Sequence, residues 1–374
     1  MKSVLLEFIS TDTKTIIFVI RQDWQERGIA DSEPLVFEAS ISEEEIVACV
    51  GEIRGLYKEW EAQGYSPDYI KRIDLAKRTG FYAIGEALFS DALMEMIEGY
   101  ELIYFVPFSA LHHLPLHAMR YKQEEIIDLY ACSYLPSASV LQFTNQKKQR
   151  PKSFAIKGVG VDSLNKKSKF FKGEVSELQK LTHDALRVEL YKDANKEEFL
   201  SGNEAFNILH CSAHGYFAVD EPLDSSIMLF IPDSDRPQSL EELEKQMSNP
   251  NSPLKQSAVS VHDLIERLDS SFELVFLSAC VSGENKNEAG DELIGLSRGL
   301  FYAGTKSMIL ALFTVFKEKT GKRNSPTHIA QFYRLWIEEG QSKAKAFQNY
   351  IKILKQDAKH PFEWFAYILI GNPY

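Results

Sequence analysis

The chain has 374 residues, of which 44% are hydrophobic and 25% charged, the make-up of an ordinary globular protein with mass for one large or two smaller domains. A net charge of −11 argues against nucleic acid or an anionic membrane as a direct partner. The four cysteines, Cys49, Cys132, Cys211 and Cys280, show no CxxC spacing, which argues against a disulfide framework or a zinc site and for a reducing compartment. The opening MKSVLLEFIS has too short an apolar run before Glu7 for a secretory signal, and no stretch approaches the length of a membrane span. A soluble cytoplasmic protein is therefore expected.

In chain order, VLLEFIS (4–10) and KTIIFVIR (14–21) read as a hairpin, with PLVFEASI (34–41) as a third strand. Ser42 starts a helix whose first turn holds Glu43, Glu44 and Glu45, where negative charge suits the helix dipole. Ile46, Val50, Ile53 and Leu56 give it an apolar stripe. Residues 62–78 are polar and read as a loop, 81–100 as a second amphipathic helix, and ELIYFVP (101–107) as a buried strand. His112, His113 and His117 follow within six residues, yet no acidic or thiol ligand stands at a suitable spacing, so no metal is expected there. Residues 130–145 read as a strand, a turn and the start of a helix. The basic, polar run QKKQRPKS (146–153) is the clearest domain boundary.

Beyond it, FAIKGVGV (154–161) is a strand whose Gly158 and Gly160 form only a weak phosphate-loop signal, since no third glycine opens a helix. A helix near 173–182, a strand LRVELY (186–191) and a short helix (194–200) lead to FNILHCSAHG (206–215), an apolar strand ending in His214 and Gly215. SSIMLFI (225–231) is another strand. Residues 232–257, rich in Pro, Ser, Asn, Asp and Gln, are expected to combine a short helix with mobile surface loop. After a helix VHDLIERL (261–268), FELVFLSACVSG (272–283) delivers Cys280 at the end of a buried strand, facing a polar loop. That is where α/β proteins place chemistry. Next come a helix (291–304) with Gly304 as its C-cap, a strand (306–316), helices 326–338 and 342–359, and a terminal strand WFAYILI (364–370). Strand alternating with helix at this spacing predicts a mostly parallel sheet covered on both faces.

Two apolar strands, one ending in His-Gly and a later one in Ala-Cys, resemble the paired signature of caspase-like cysteine peptidases. GDELIGLSRGLFYAGTKSMILALFTV (290–315) is similar to the helix and strand that follow the cysteine in one branch of that clan, the CHAT-domain family. LIYFVPFSALHHLPLHAMRY (102–121), CSYLPSAS (132–139) and HPFEWFAYILIGNPY (360–374) resemble the same family in the same order. The resemblance implies a caspase-like three-layer α/β/α sandwich. Residues 1–147 would form a degenerate caspase-like half and 148–374 the catalytic half.

It further implies a cysteine endopeptidase in which Cys280 attacks and His214 handles the proton, with the backbone N–H groups of Gly215 and Cys280 as the oxyanion hole. No cofactor is expected. The partners implied are a protein substrate and, since the chain carries no sensor repeat, an activating protein in trans, in bacterial defence or programmed cell death. Asp291 is a candidate for orienting substrate, its plainer reading being an N-terminal helix residue. Relatives commonly carry Trp-x-Val-x-Asp after the strand at 306–312. Here Phe313-Thr314-Val315-Phe316-Lys317 stands instead, and Lys317 shifts the preferred cleavage-site residue from basic towards neutral or acidic. Two other readings are a catalytically silent caspase-like scaffold, against which the His214 and Cys280 dyad argues, and a nucleotide-binding α/β protein, against which the missing glycine fingerprint argues.

Overall fold

The hairpin forms as its alternation requires: β1 (Ser3–Ser10) and β2 (Thr15–Arg21) pair antiparallel, with Val4 opposite Arg21 and Ser10 opposite Thr15. The computed structural model describes residues 1–21, 34–63, 66–70, 74–141, 150–162, 170–216, 218, 221–237, 240–268, 272–281, 291–312, 327–358 and 360–374. Two compact units result, one built on Met1–Gln146 with Ser342–Tyr374, the other on Lys147–Val315 with Lys319–Gln341. Where the sequence reading counted 342–374 with the second half, the structure places them in the first.

In the first unit, β3 (Leu35–Ala39) extends the hairpin on the β2 side. Helix α1 (Glu43–Ala62) is started by a reciprocal cap: the Glu45 N–H donates to Ser42 Oγ (3.3 Å) and the Ser42 N–H to Glu45 Oε2 (2.8 Å). Its stripe of Ile46, Val50, Ile53 and Leu56 is buried, as the spacing predicts. The helix expected over 81–100 is two, Phe81–Leu88 and Asp91–Met96. Ser90 divides them, because its hydroxyl accepts from the Leu93 N–H (3.4 Å) and starts the helix afresh. The fully buried β4 (Leu102–Val106) runs parallel to β1 on one side and to β5 (Ala131–Tyr134) on the other. The strand Tyr367–Gly371 pairs parallel to β5, and the Ser133 hydroxyl donates to the Gly371 carbonyl (2.8 Å).

The second unit alternates strand and helix: β6 (Phe154–Gly160), α2 (Phe170–Glu177), β7 (Leu186–Lys192), α3 (Lys196–Leu200) and β8 (Ile208–Tyr216). After β9 (Ser226–Met228) come α4 (Leu240–Ser248), α5 (Pro253–Ser257), β10 (Val259–Ser260) and α6 (Val261–Arg267). Then follow β11 (Leu274–Val281), α7 (Asp291–Tyr302), β12 (Ser307–Ala311) and α8 (Thr327–Tyr333). Strands β7, β6, β8, β11 and β12 are parallel neighbours in that order, with β9 and β10 added antiparallel beyond one end of β8.

Gly158 and Gly160 lie inside β6 and serve packing. A Cβ at 158 would stand 2.7 Å from Leu190 Cδ2. One at 160 would stand 2.7 Å from Val175 Cγ2 and 2.9 Å from the Phe171 carbonyl, so these glycines let β7 and α2 press close. Between them Lys157 is 1% exposed, and its Nζ donates to the carbonyls of Glu198 (2.6 Å), Phe199 (3.2 Å) and Ser201 (2.8 Å) at the end of α3. Residues 232–257, expected to combine a short helix with loop, carry two helices, α4 and α5. Ile231, Leu243, Met247 and Leu254 form a buried cluster there with Met228 and Ala258. Their sparse apolar residues fall on one side of each short helix, and that suffices to build a core.

Candidate active site

The site starts from one register. Strands β8 and β11 pair in parallel from Ile208 opposite Leu274 to Gly215 opposite Val281, and this ladder sets His214 directly opposite Cys280. Both positions stand at the carboxyl ends of their strands. On the other side of β8 the neighbour changes: β6 pairs with Ile208 through Ser212, and β9 with His214 through Tyr216. The chain leaving β6 donates its Val161 N–H to the Ser212 carbonyl (3.0 Å). His214 therefore lies where one strand neighbour gives way to another. The strand order β7-β6-β8-β11-β12 also reverses direction between β6 and β8, and such a topological switch point opens a crevice at the carboxyl edge of an α/β sheet.

Below this edge the alternation of β8 puts His210, Ser212 and His214 on one face and Cys211 on the other. Helix α2 covers the histidine face. Phe171, itself 1% exposed, meets the half-buried His214 ring edge-on, with ring centroids 4.8 Å apart and planes at 81°. Three residues on, the buried Glu174 carboxylate takes contacts from both central strands. His210 Nε2 lies 3.1 Å from Oε1, and the Ser278 hydroxyl donates to Oε2 (3.1 Å). A carboxylate only accepts, so His210 Nε2 carries the hydrogen. The Tyr333 hydroxyl at the end of α8 stands 3.0 Å from Nδ1. The Phe171 N–H donates to Asp162 Oδ1 (3.4 Å), tying the start of α2 to the end of β6.

A family model for the CHAT domain matches residues 82–372, most of the chain. The chain belongs to the CHAT-domain family. Its α/β fold, with a mostly parallel sheet in the catalytic-candidate unit, is caspase-like. The separase–securin complex of Saccharomyces cerevisiae solved at 3.0 Å superposes with a TM-score of 0.58 at 10% identity, covering 100% of this chain and 30% of that one. A second separase–securin structure from the same organism, at 2.6 Å, gives a TM-score of 0.40 at 10% identity over 73% of this chain and 16% of that one. The chain thus spans under a third of the separase chain it resembles. Comparison with curated proteins finds no significant match.

Within this CHAT domain the remaining expectations fall as follows. Gly215 is in the ladder, opposite Ile227 of β9 and Val281 of β11. Asp291 is the first residue of α7. Lys317, with the Phe313–Lys317 motif and the loop at 282–290, lies outside the described residues. Cys49, Cys132 and Cys211 are all buried. Burial pushes the Cys49 thiol up to about 12 and raises those of Cys132 and Cys211 as well, so none is poised to react at neutral pH. His117 is buried against Tyr134, and His113 Nδ1 lies 3.3 Å from the Arg54 guanidinium. Among the described residues no His, Cys, Asp and Glu side chains group as a metal site, and no helix is long and apolar enough to cross a membrane.

Sequence patterning assigned no role to His210, Phe171, Glu174, Ser278 or Tyr333. A signal for His210 was present: it stands four residues before His214, an even number, and so on the same strand face. None existed for Glu174, an ordinary glutamate in a helical run.

Proposed function

We propose that this CHAT domain is a cysteine endopeptidase with Cys280 as nucleophile and His214 as acid and base. The observation that carries the reading is the parallel register that pairs these two positions at the carboxyl edge, where the neighbour of β8 changes. Paired positions of a parallel ladder share a face of the sheet, and 214 and 280 are such a pair. A thiol of ordinary pKa is only a few per cent thiolate at neutral pH, and an adjacent imidazole remedies this by taking the proton.

The thiolate then attacks the scissile carbonyl, whose electron pair moves onto oxygen against the N–H groups of Gly215 and Cys280. One such donor is worth about 2.7–4 kcal/mol of barrier. His214 returns the proton to the leaving nitrogen, the C–N bond breaks, and a thioester remains. Water, deprotonated by the same imidazole, releases the acid and restores the thiol. Asp291 and Lys317 stay as candidates for contacting the substrate side chains.

The first unit, with parallel strands β1, β4 and β5, is read as the degenerate caspase-like half. Control is assigned to a protein partner in trans, acting in bacterial defence or programmed cell death. The separase structures, each a complex with securin, offer a precedent of that kind for a related fold. The deciding experiment labels the full chain with a peptidyl acyloxymethyl ketone and locates the adduct by mass spectrometry, beside a cleavage screen with the parent and Cys280→Ala. An adduct on Cys280 and cleavage lost in the variant are expected. Cleavage that survives Cys280→Ala would overturn the assignment. A chain that neither labels nor cleaves, with or without proteins encoded beside it, would make it a scaffold.

A further inference from the structure

We infer that Glu174 is a positioning residue for the Cys280 and His214 pair. It rivets the two strands that carry them, while its own helix presses Phe171 on the His214 ring. This rests on the peptidase reading above. One carboxylate takes β8 at His210 on Oε1 and β11 at Ser278 on Oε2. Ser278 stands two residues before Cys280 and His210 four before His214, so the bridge lies directly beneath the reacting positions on the same face of the sheet.

The helix is also held tightly. The closeness of Gly160 to the Phe171 carbonyl and to Val175 leaves no room for even a methyl group, so α2 lies as near to the sheet as backbone permits. Phe171 and Glu174, three apart, project from neighbouring positions on that helix. A shift of either moves the imidazole relative to the strand pair. Burying a carboxylate is an expensive way to hold a helix on a sheet, since well-packed apolar side chains do so at equal or lower cost. What a bidentate acceptor adds is a fixed offset between two particular strands. Displacing a reacting group by about 1 Å costs on the order of 10²-fold in rate.

The test needs no known substrate. The rate at which iodoacetamide alkylates Cys280 is followed by mass spectrometry between pH 5.5 and 9.5 on the full chain. The buried thiols of Cys49, Cys132 and Cys211 serve as internal slow references. Glu174→Ala is expected to slow alkylation at pH 6.5 at least tenfold, as His214→Ala does, and to approach the parent rate at pH 9.5, where the thiolate forms without help. Glu174→Gln, whose amide can accept from His210 and donate to Ser278, should restore the rate to within about threefold of the parent. Ser278→Ala, which removes one oxygen and leaves the fold, should slow it several-fold and decides the matter if Glu174→Ala does not fold. The sign is diagnostic, because removing a nearby negative charge by itself favours the thiolate and would speed the reaction.

Parent-like rates in Glu174→Ala and Ser278→Ala, with His214→Ala still slow, would overturn the positioning role alone. A Glu174→Gln as slow as the alanine variant would overturn it too. If His214→Ala itself alkylates like the parent, the dyad reading fails first.

Discussion

Two imidazoles, one in each unit, have nearly the same local chemistry and different consequences. His117 and His210 are both 0% exposed, and each has its Nδ1 beside a tyrosine hydroxyl, Tyr134 at 2.9 Å and Tyr333 at 3.0 Å. They differ at Nε2. In His210 it faces the Glu174 carboxylate, whereas in His117 it is buried with no hydrogen-bond partner among the described residues. With the Tyr134 hydroxyl also accepting the His117 backbone N–H (3.0 Å), its proton points to Nδ1, and the ring stays neutral. Burial, reinforced by the Lys355 charge, pushes His117 down to about 3. A buried histidine is thus a core residue by default. A carboxylate shared with a neighbouring strand makes it part of a frame.

The largest effect sharpens the contrast at the edge above His210. Cys280→Ala and His214→Ala should each reduce kcat by roughly 10⁴-fold or more, and the double variant little further, because the pair acts as a unit. Turnover of a peptide identified in the cleavage screen measures this. Additive losses would break the dyad assignment.

Next, His210→Ala should lower kcat about 10- to 100-fold with KM within about twofold, since it loosens the frame without touching substrate. The matching change in the first unit, His117→Asn, should leave kcat within about twofold. Equal losses at the two positions would mean that both act only through stability, and the comparison would collapse.

A third effect belongs to His117 alone. Its folded-state pKa of about 3 lies below the ordinary 6.5, so the unfolded chain binds the extra proton between those values and the folded one does not. Stability is therefore full above pH 6.5 and falls as pH drops from 6.5 towards 3, by up to about 4–5 kcal/mol. His113, pushed to about 3 by burial and by Arg54, adds a drop of the same sign. Urea midpoints at pH 7.5, 6 and 4.5 should show a steeper loss for the parent than for His117→Asn, even though the variant starts less stable. Parallel curves would refute a buried neutral His117.

The smallest effects come from the other thiols. Cys49→Ser, Cys132→Ser and Cys211→Ser should each keep turnover within about threefold, because burial has raised all three thiols out of the reactive range. Loss of cleavage in Cys211→Ser at unchanged thermal stability would count against a simple dyad, since that residue neighbours His210 on the strand.

Most elements were legible from local pattern. The hairpin, the capped helix after Ser42 and the apolar strands ending at His214 and Cys280 follow from alternation, capping chemistry and runs of buried residues, all written within ten or twenty positions. The two residues of the candidate dyad were legible only through a resemblance, since the paired His-Gly and Ala-Cys strand ends match the signature of caspase-like peptidases. What local pattern does not carry is adjacency. The pairing of His214 with Cys280 belongs to a ladder between strands separated by a sheet extension and three helices. Glu174 reaches His210 across 36 residues of sequence and Ser278 across 104, and Tyr333 reaches His210 across 123. The return of 342–374 to the first unit is of the same kind. Hydrophobic burial acts on any apolar face alike, so it selects elements without naming their neighbours. Only the closed packing of the folded chain decides which buried glutamate meets which histidine.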